Sequence, residues 1–399
     1  MNVLILNCWT SSIAFHLLDG KKKIRLADGT VERVTLDGGS ISLRRPGREV
    51  HERKLECPTH ASAVEAVLAL LADPDAKLLQ NPHEISVVAH RVVHGGEKFH
   101  FGCVIDQEVL GSLRKLRALA PLHAPSNIAG IEAAMKLLPG VPHLALFDTA
   151  FHHTMPPEAY LYPLPYDWYE QRGIRRYGFH GHAHQHATMR AASILGKPLD
   201  YCNLITIAIG RGISVCAVRN GRSIDTSMGL TPLEGVVMDT RCGDLDPGLT
   251  TFMMDRLNLS PPEIHRVLNE KSGLYGIAGS GSRIELIERA GQGEYRAQLA
   301  LDIQCYRLKK QIGAYIAAIG KTDAVVFTAE EELTDWRLRE QVLNGLELMG
   351  IIIDSEKARL ALPRKEEVIS ASGSPVTVIN VPTHLETVMC EEVMQILSA

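Results

Sequence analysis

Residues 3–20 read VLILNCWTSSIAFHLLDG, and residues 204–225 read LITIAIGRGISVCAVRNGRSID. Each stretch is an apolar run, a tight turn and a second apolar run. In the first, Val3 to Asn7 forms the strand, and Thr10, Ser11 and Ser12 turn the chain. Ile13 to Leu18 then returns, and Asp19-Gly20 closes the unit. In the second, Leu204 to Ile209 leads into Gly210-Arg211-Gly212, and Ser214 to Val218 returns. Asn220-Gly221 is a strong hairpin turn into a third run, Arg222 to Asp225. Two such units, each followed by alternating helical and strand patterns, predict a duplicated α/β domain.

Outward from the first hairpin, Lys21 to Lys54 is charged and β-prone, with an Asp37-Gly38-Gly39 turn, and reads as further strands or a surface flap. Ala61 to Ala72 has helical apolar spacing and ends at Asp73-Pro74; Ile85 to Ala89 is a buried strand. Beyond the second hairpin the pattern predicts helices at 247–257, 264–269 and 297–319, a strand at 324–328, a helix at 335–348, a strand at 376–381 and a helix at 386–397. The two halves are expected to meet in a cleft, where ligands of α/β proteins usually bind.

Composition narrows the function. The chain has 399 residues, 42 Lys and Arg against 46 Asp and Glu, and a net charge of −4. No basic excess is present to neutralise many phosphates, which argues against nucleic acid as a partner. The N-terminus lacks a basic region and has a four-residue apolar run, too short for a signal peptide. No uncharged stretch is long enough to cross a membrane. Eight scattered cysteines without a CxxC pair read as reduced thiols, so a cytoplasmic location is expected.

Four stretches carry candidate chemistry. His90-Arg91-Val92-Val93-His94-Gly95-Gly96 follows the strand at 85–89, where polar residues face the crevice of an open α/β sheet. Arg91 has a planar fork suited to an oxyanion, and the glycines permit backbone to approach a ligand; the plain alternative is a turn with a surface arginine. Asp148, after the apolar run 141–147, could position a nucleophile, hold a metal, or simply cap a helix. In Arg175 to His186 the histidines alternate. A helix starting near Gly181 would put His182 and His186 on one face as candidate metal ligands, or leave one functional histidine among surface ones. Arg241, among Asp239, Asp244 and Asp246, could clamp a phosphoryl group or pair with Asp244. Two arginines, a histidine and an aspartate suit phosphoryl transfer, which depends on positioning and on neutralising charge.

Together these blocks resemble the acetate kinase (acetokinase) family, essentially end to end. The family's N-x-G-S-S-S-x-K pattern is similar to Asn7–Ala14, H-R-V-V-H-G-G-E to His90–Glu97, and F-D-T-A-F-H-x-T-M-P to Phe147–Pro156. R-R-Y-G-F-H-G matches Arg175–Gly181, D-T-S-M-G-x-T-P-L-E-G matches Asp225–Gly235, and T-R-x-G-D-x-D-P matches Thr240–Pro247. The resemblance implies a two-domain α/β fold of the actin-like, sugar-kinase-like class, with one domain at 1–150 plus 385–399 and the other at 151–384. It implies a homodimer that moves a phosphoryl group between ATP and a short carboxylate with magnesium. Asn7, Arg91, Asp148, His180 and Arg241 stand at the family's positions for phosphoryl and carboxylate chemistry. Val93, Leu122 and Pro232 match its small acyl pocket, with His123 among the substrate-binding residues.

On the nucleotide side the match breaks. Trp9 stands for a glycine and Ala14 for a lysine; Ala208 and Arg211 stand for the histidine and asparagine of H-L-G-N-G. The S-D-F-R patch reads Ser282-Arg283-Ile284-Glu285, and the adenosine loop reads Thr328-Ala329-Glu330-Glu331-Glu332-Leu333. His384 stands for a magnesium-linked glutamate. A like-charge contact near 4 Å costs up to about 4 kcal/mol at an effective dielectric near 20. Each lost contact would add roughly 1 kcal/mol, against about 8 kcal/mol for a micromolar ligand. The expectation is therefore a divergent member that keeps an acyl-phosphate site, has lost ordinary ATP binding, needs no cofactor, and acts as an acyl-phosphate-binding protein or as a non-kinase subunit of a partner enzyme. Arg211 and Arg283 are expected to pair with Glu285 or the 330–332 acids. The alternatives are ATP-independent chemistry on acyl phosphates, and an active acetate or propionate kinase with magnesium and atypical donor contacts.

Overall fold

A computed structural model describes residues 1–121, 123–210, 212–329, 335–362 and 365–398. The chain divides into two compact units, Met1–Ala150 with His384–Ala399, and Phe151–Thr383.

The first unit is built on an eight-stranded sheet: β1 (Asn2–Cys8), β2 (Ser12–Asp19), β3 (Ile24–Glu32), β4 (Ser40–Arg44), β5 (His51–Lys54), β6 (Ile85–Val92), β7 (Cys103–Val104) and β8 (His143–Phe147). Its order is β5-β4-β3-β2-β1-β6-β8-β7. The hairpin β1–β2 is antiparallel in the register Asn7 opposite Ala14. β1, β6 and β8 run parallel. The charged segment 21–54 supplies β3 to β5, strands of the sheet rather than a separate flap.

Why β1 is apolar at nearly every position follows from its two covered faces. Leu4, Leu6 and Cys8 pack with Val64, Val67 and Leu71 of the helix His60–Leu71 and with Ala133 and Ala134 of the helix Ala124–Leu137. Val3 and Ile5 point the other way, onto Met389, Cys390 and Val393 of the helix Leu385–Ser398. A strand buried on both sides shows a run, not an alternation; each such leucine or isoleucine contributes roughly 1.5–3 kcal/mol. The helix at 60–71 begins at Thr59, whose side chain caps it in a reciprocal box with Ser62.

The second unit repeats the plan with six strands: β9 (Leu204–Ile209), β10 (Ile213–Arg219), β11 (Arg222–Thr226), β12 (Ala324–Ala329), β13 (Glu367–Val368) and β14 (Thr377–Pro382). The order β11-β10-β9-β12-β14-β13 matches β3-β2-β1-β6-β8-β7 strand for strand. In both, an antiparallel meander is extended by two parallel strands and closed by a short antiparallel edge. Ile205 and Ile207 face the long helix Tyr295–Ile319. Leu204 faces Ala187, Ala191 and Ala192 of the helix Gly181–Leu195.

Two sequence expectations shift. The helix at 335–348 runs only Trp336–Leu343 and is followed by a single 3₁₀ turn, Glu347–Met349, because Gly345 takes a left-handed φ of 87°. The helix Gln107–Leu116, started by Asp106 accepting from the Val109 amide, was not predicted. No helix among the described residues is long and apolar enough to cross a membrane.

Candidate active site

In the first unit the candidates collect at the carboxyl ends of three adjacent parallel strands. Asn7 lies near the end of β1, Arg91 near the end of β6, and Asp148 directly follows β8, its amide donating to the Val92 carbonyl at 3.0 Å. Parallel strands aim their ends at a common edge, the usual ligand position in such sheets. Arg91 donates from Nε to Asp148 Oδ1 at 2.9 Å and from Nη2 to Oδ2 at 2.6 Å. Both side chains are largely buried, 12% and 4% exposed. The Asp148 carboxylate thus grips a guanidinium in a bidentate fork. Desolvation cancels much of the attraction in a buried pair; what the fork provides is a cation held in one orientation.

The edge itself is stapled. Asn127, buried in the helix Ala124–Leu137, donates to the Cys8 carbonyl at 2.7 Å and accepts from the Val93 amide at 3.0 Å. It ties the end of β1 to the end of β6. Thr149 accepts from the Gly95 amide at 3.0 Å. The paired glycines were expected to admit a ligand, but here they admit the chain's own side chains. A Cβ at Gly95 would lie 3.1 Å from the Phe147 ring, and one at Gly96 would lie 2.6 Å from Leu116. His123 is the residue before the helix 124–137; Leu122 lies outside the described residues.

In the second unit, His180 takes the left-handed conformation, φ 59°, immediately before the helix Gly181–Leu195. Arg241 donates to the Pro232 carbonyl at 3.3 Å and not to Asp244, which accepts from the Gly235 amide at 2.8 Å. Burial lowers the Arg241 pKa from its ordinary value, with Asp239 opposing. A Cβ on Gly212 would come within 3.1 Å of Arg241 Nη1, so the turn after β9 lies against this guanidinium. The loop bearing Pro232 is clamped from behind. Arg176 donates to the carbonyls of Thr226 and Ser227 at 2.9 and 3.2 Å and pairs with Glu234. Tyr162 donates to Glu234 and accepts from the Leu230 amide at 2.9 Å. Burial, with Glu234 adjacent, pushes the Tyr162 phenol up, so it remains a donor.

His182 and His186 sit buried on the helix 181–195, and His186 Nε2 lies 3.2 Å from the Pro382 carbonyl. Among the described residues no group of three or more His, Cys, Asp or Glu side chains is arranged to hold a metal. Asn127, Thr149, Tyr162, Arg176 and Glu234 were not singled out from the sequence. For Asn127 a signal existed: an amide on an apolar helical face must find buried partners.

The acetokinase family model matches residues 2–391. The chain is 50% identical over 400 aligned positions to an acetate kinase of Geobacter sulfurreducens, covering 100% of this chain and 95% of that one. It is 45% identical to an acetate kinase of Thermotoga maritima, covering 100% and 99%. Among solved structures it is similar to Porphyromonas gingivalis acetate kinase (TM-score 0.94, 42% identity, 99% of each chain). It is also similar to a propionate kinase of Francisella tularensis (TM-score 0.91, 34% identity, 98% of each chain). The expected α/β actin-like class stands on these structures.

The same matches correct four expectations: that the chain is divergent, that it has lost ordinary ATP binding, that it is a non-kinase subunit, and that it needs no cofactor. Half of all positions are shared, end to end, with proteins that are kinases. Locally, the described replacements have partners or ladder positions within their own unit. Trp9 is not among the left-handed residues, so its turn does not require glycine, and its amide closes the turn on the Ser12 carbonyl at 2.8 Å. Arg283 pairs with Asp335 at 3.0 Å and with Gln304, not with Glu285. Glu285 stands in the first turn of the helix Arg283–Gly291, where acids are favoured, and binds Ser280 and Arg289. Ala14 and Ala208 are ladder residues of β2 and β9. His384 Nδ1 lies 3.5 Å from Glu386. Arg211, Glu330, Glu331 and Glu332 lie outside the described residues, so the like-charge repulsion assigned to them has no geometry behind it.

Proposed function

The chain belongs to the acetokinase family, and from that membership we propose that it is an ATP-dependent kinase of a short carboxylate, of acetate or propionate size, working with magnesium. The observation that carries this reading is the 50% identity to an acetate kinase over the full chain. In the reaction a carboxylate oxygen attacks the γ-phosphorus of ATP and the bond to the ADP oxygen breaks, giving an acyl phosphate and ADP. Such transfer asks the protein mainly for positioning and for charge to offset the equatorial oxygens.

Arg91, held by Asp148, supplies a fixed planar cation for the carboxylate or the phosphoryl oxygens. His180 and Arg241 supply further donors. Pro232, Val93, Leu122 and His123 are assigned to the acyl group, a reading that rests on the matched motifs. Asp148 and Asn7 offer hard oxygen donors at one strand edge, which suits magnesium, an ion that takes one or two carboxylates and fills its shell with water and phosphate oxygens. When bound, magnesium neutralises charge on the phosphates.

We assign the two units as actin-like domains, the chain as a homodimer, and its location as cytoplasmic. The helix Gly248–Leu257 buries none of its residues and exposes Leu249, Phe252 and Leu257, an apolar face that a second copy would cover. All eight cysteines are free thiols. Trapping acyl phosphate as hydroxamate tests the activity. Hydroxamate is expected from ATP, magnesium and acetate or propionate, and none from any carboxylate up to four carbons would refute it. Light scattering on a sizing column tests the dimer, which a monomer mass would refute.

A further inference from the structure

His180 is the one non-glycine residue of its segment in left-handed backbone, and Gly178 two positions earlier is also left-handed, φ 76°. Such a conformation at a non-glycine persists where the surroundings over-determine it. The surroundings here are a buried relay. His152, 1% exposed in the 3₁₀ turn Ala150–Thr154, places Nε2 3.0 Å from the Phe179 carbonyl, the oxygen of the peptide that joins Phe179 to His180. A carbonyl only accepts, so Nε2 carries the hydrogen, and Nδ1 lies 2.9 Å from Ser223 Oγ. Ser223 in turn lies 3.3 Å from Cys216 Sγ, whose thiol burial pushes up to about 12, so it remains S–H. The His152 ring also floors the segment: a Cβ on Gly178 would meet its Cδ2 at 2.7 Å and its Cγ at 2.8 Å. On the helix side the His184 amide donates to the His180 carbonyl at 3.1 Å, and the His184 ring is held between Thr206 and Ser214.

We infer that His152 is a positioning residue: through its hydrogen bond to the Phe179 carbonyl and its ring beneath Gly178, it holds His180 in the left-handed conformation that aims the imidazole for phosphoryl transfer. The inference deepens the proposed kinase reading and rests on it for the role of His180.

His152→Phe keeps the flat ring under Gly178 and removes both hydrogen bonds. With ATP and the carboxylate that the wild type uses best, kcat is expected to fall ~10- to 100-fold while both KM values stay within about twofold, the mark of an interaction felt in the transition state. His152→Gln, which keeps an N–H donor for the carbonyl, is expected to recover kcat to within about threefold of wild type. A folded Phe variant with wild-type kcat, or a Gln variant as impaired as Phe, overturns the inference. If the Phe variant does not fold, Ser223→Ala decides, with a lowered kcat at unchanged KM expected and an unchanged kcat overturning it. A crystal structure of the variant that folds tests the positioning whatever the enzyme transfers. His180 is expected to leave its left-handed φ or swing its ring, and an unmoved His180 overturns the inference. A wild type inactive toward every carboxylate would instead sink the kinase reading.

Discussion

Removing the Arg91 guanidinium would take the bidentate fork from the Asp148 carboxylate, 4% exposed. Breaking one side of such a pair costs about 3–5 kcal/mol, so urea denaturation of Arg91→Ala is expected to show a loss of that order, together with a fall in kcat/KM of at least ~100-fold. Arg91→Lys would keep the charge and lose the bidentate grip, and is expected to recover stability better than rate. Wild-type rate in the alanine variant would remove Arg91 from the mechanism. Asn127→Ala should cost about 1–3 kcal/mol, since the Cys8 carbonyl and the Val93 amide both lose a buried partner; denaturation at an unchanged urea midpoint would contradict it. Arg91 and Asp148 were legible in the sequence because a polar residue after a buried apolar strand has one natural place, the strand's carboxyl edge. Asn127, Tyr162 and Glu234 were not, because their partners lie 119 and 72 positions away and are in part backbone groups that no side-chain pattern marks.

Two of the buried histidines meet across adjacent strands. His90 on β6 and His143 on β8 face each other with Nε2 and Nδ1 3.1 Å apart, and burial lowers both pKa values. Burial also lowers His184 and takes His94 to about 4. These imidazoles stay neutral when folded and take up protons from 6.5 downward when unfolded. Between about 6.5 and 4 the unfolded chain therefore holds more protons, and stability falls as pH falls. The melting temperature is expected to drop from pH 7 to pH 5 before most carboxylates titrate; an unchanged melting temperature over that range would contradict it. The two hairpins were readable because each first strand is buried on both faces and keeps an unbroken apolar run. The helix Gln107–Leu116 was not, since it buries only Leu110 and Leu113 and carries a glycine at 111. The helix at 336–343 was read too long because its apolar pattern runs on past Gly345, where the backbone turns left-handed.

Each unit repeats one plan, six strands in matching order, and that duplication was visible in the sequence as a duplicated hairpin. Counting every replaced residue as a missing contact predicts a loss of nucleotide binding. That count fails because Arg283 pairs with Asp335 and Gln304, Glu285 binds Ser280 and Arg289, and Trp9 closes its own turn, so a replaced residue is not simply a missing contact. A kinase should be stabilised by its nucleotide: at 100 times its Kd a ligand adds about 2.7 kcal/mol. Magnesium–ATP is therefore expected to raise the melting temperature, and chelating the magnesium to lower it again; no shift at millimolar nucleotide would contradict this. Phosphorus NMR of the purified chain with acetyl phosphate, ADP and magnesium follows the transfer itself in the reverse direction. The acetyl phosphate resonance is expected to disappear as the γ-phosphate resonance of ATP grows, and a folded protein that leaves acetyl phosphate intact, or releases only inorganic phosphate, would contradict the assignment of this chain as a carboxylate kinase.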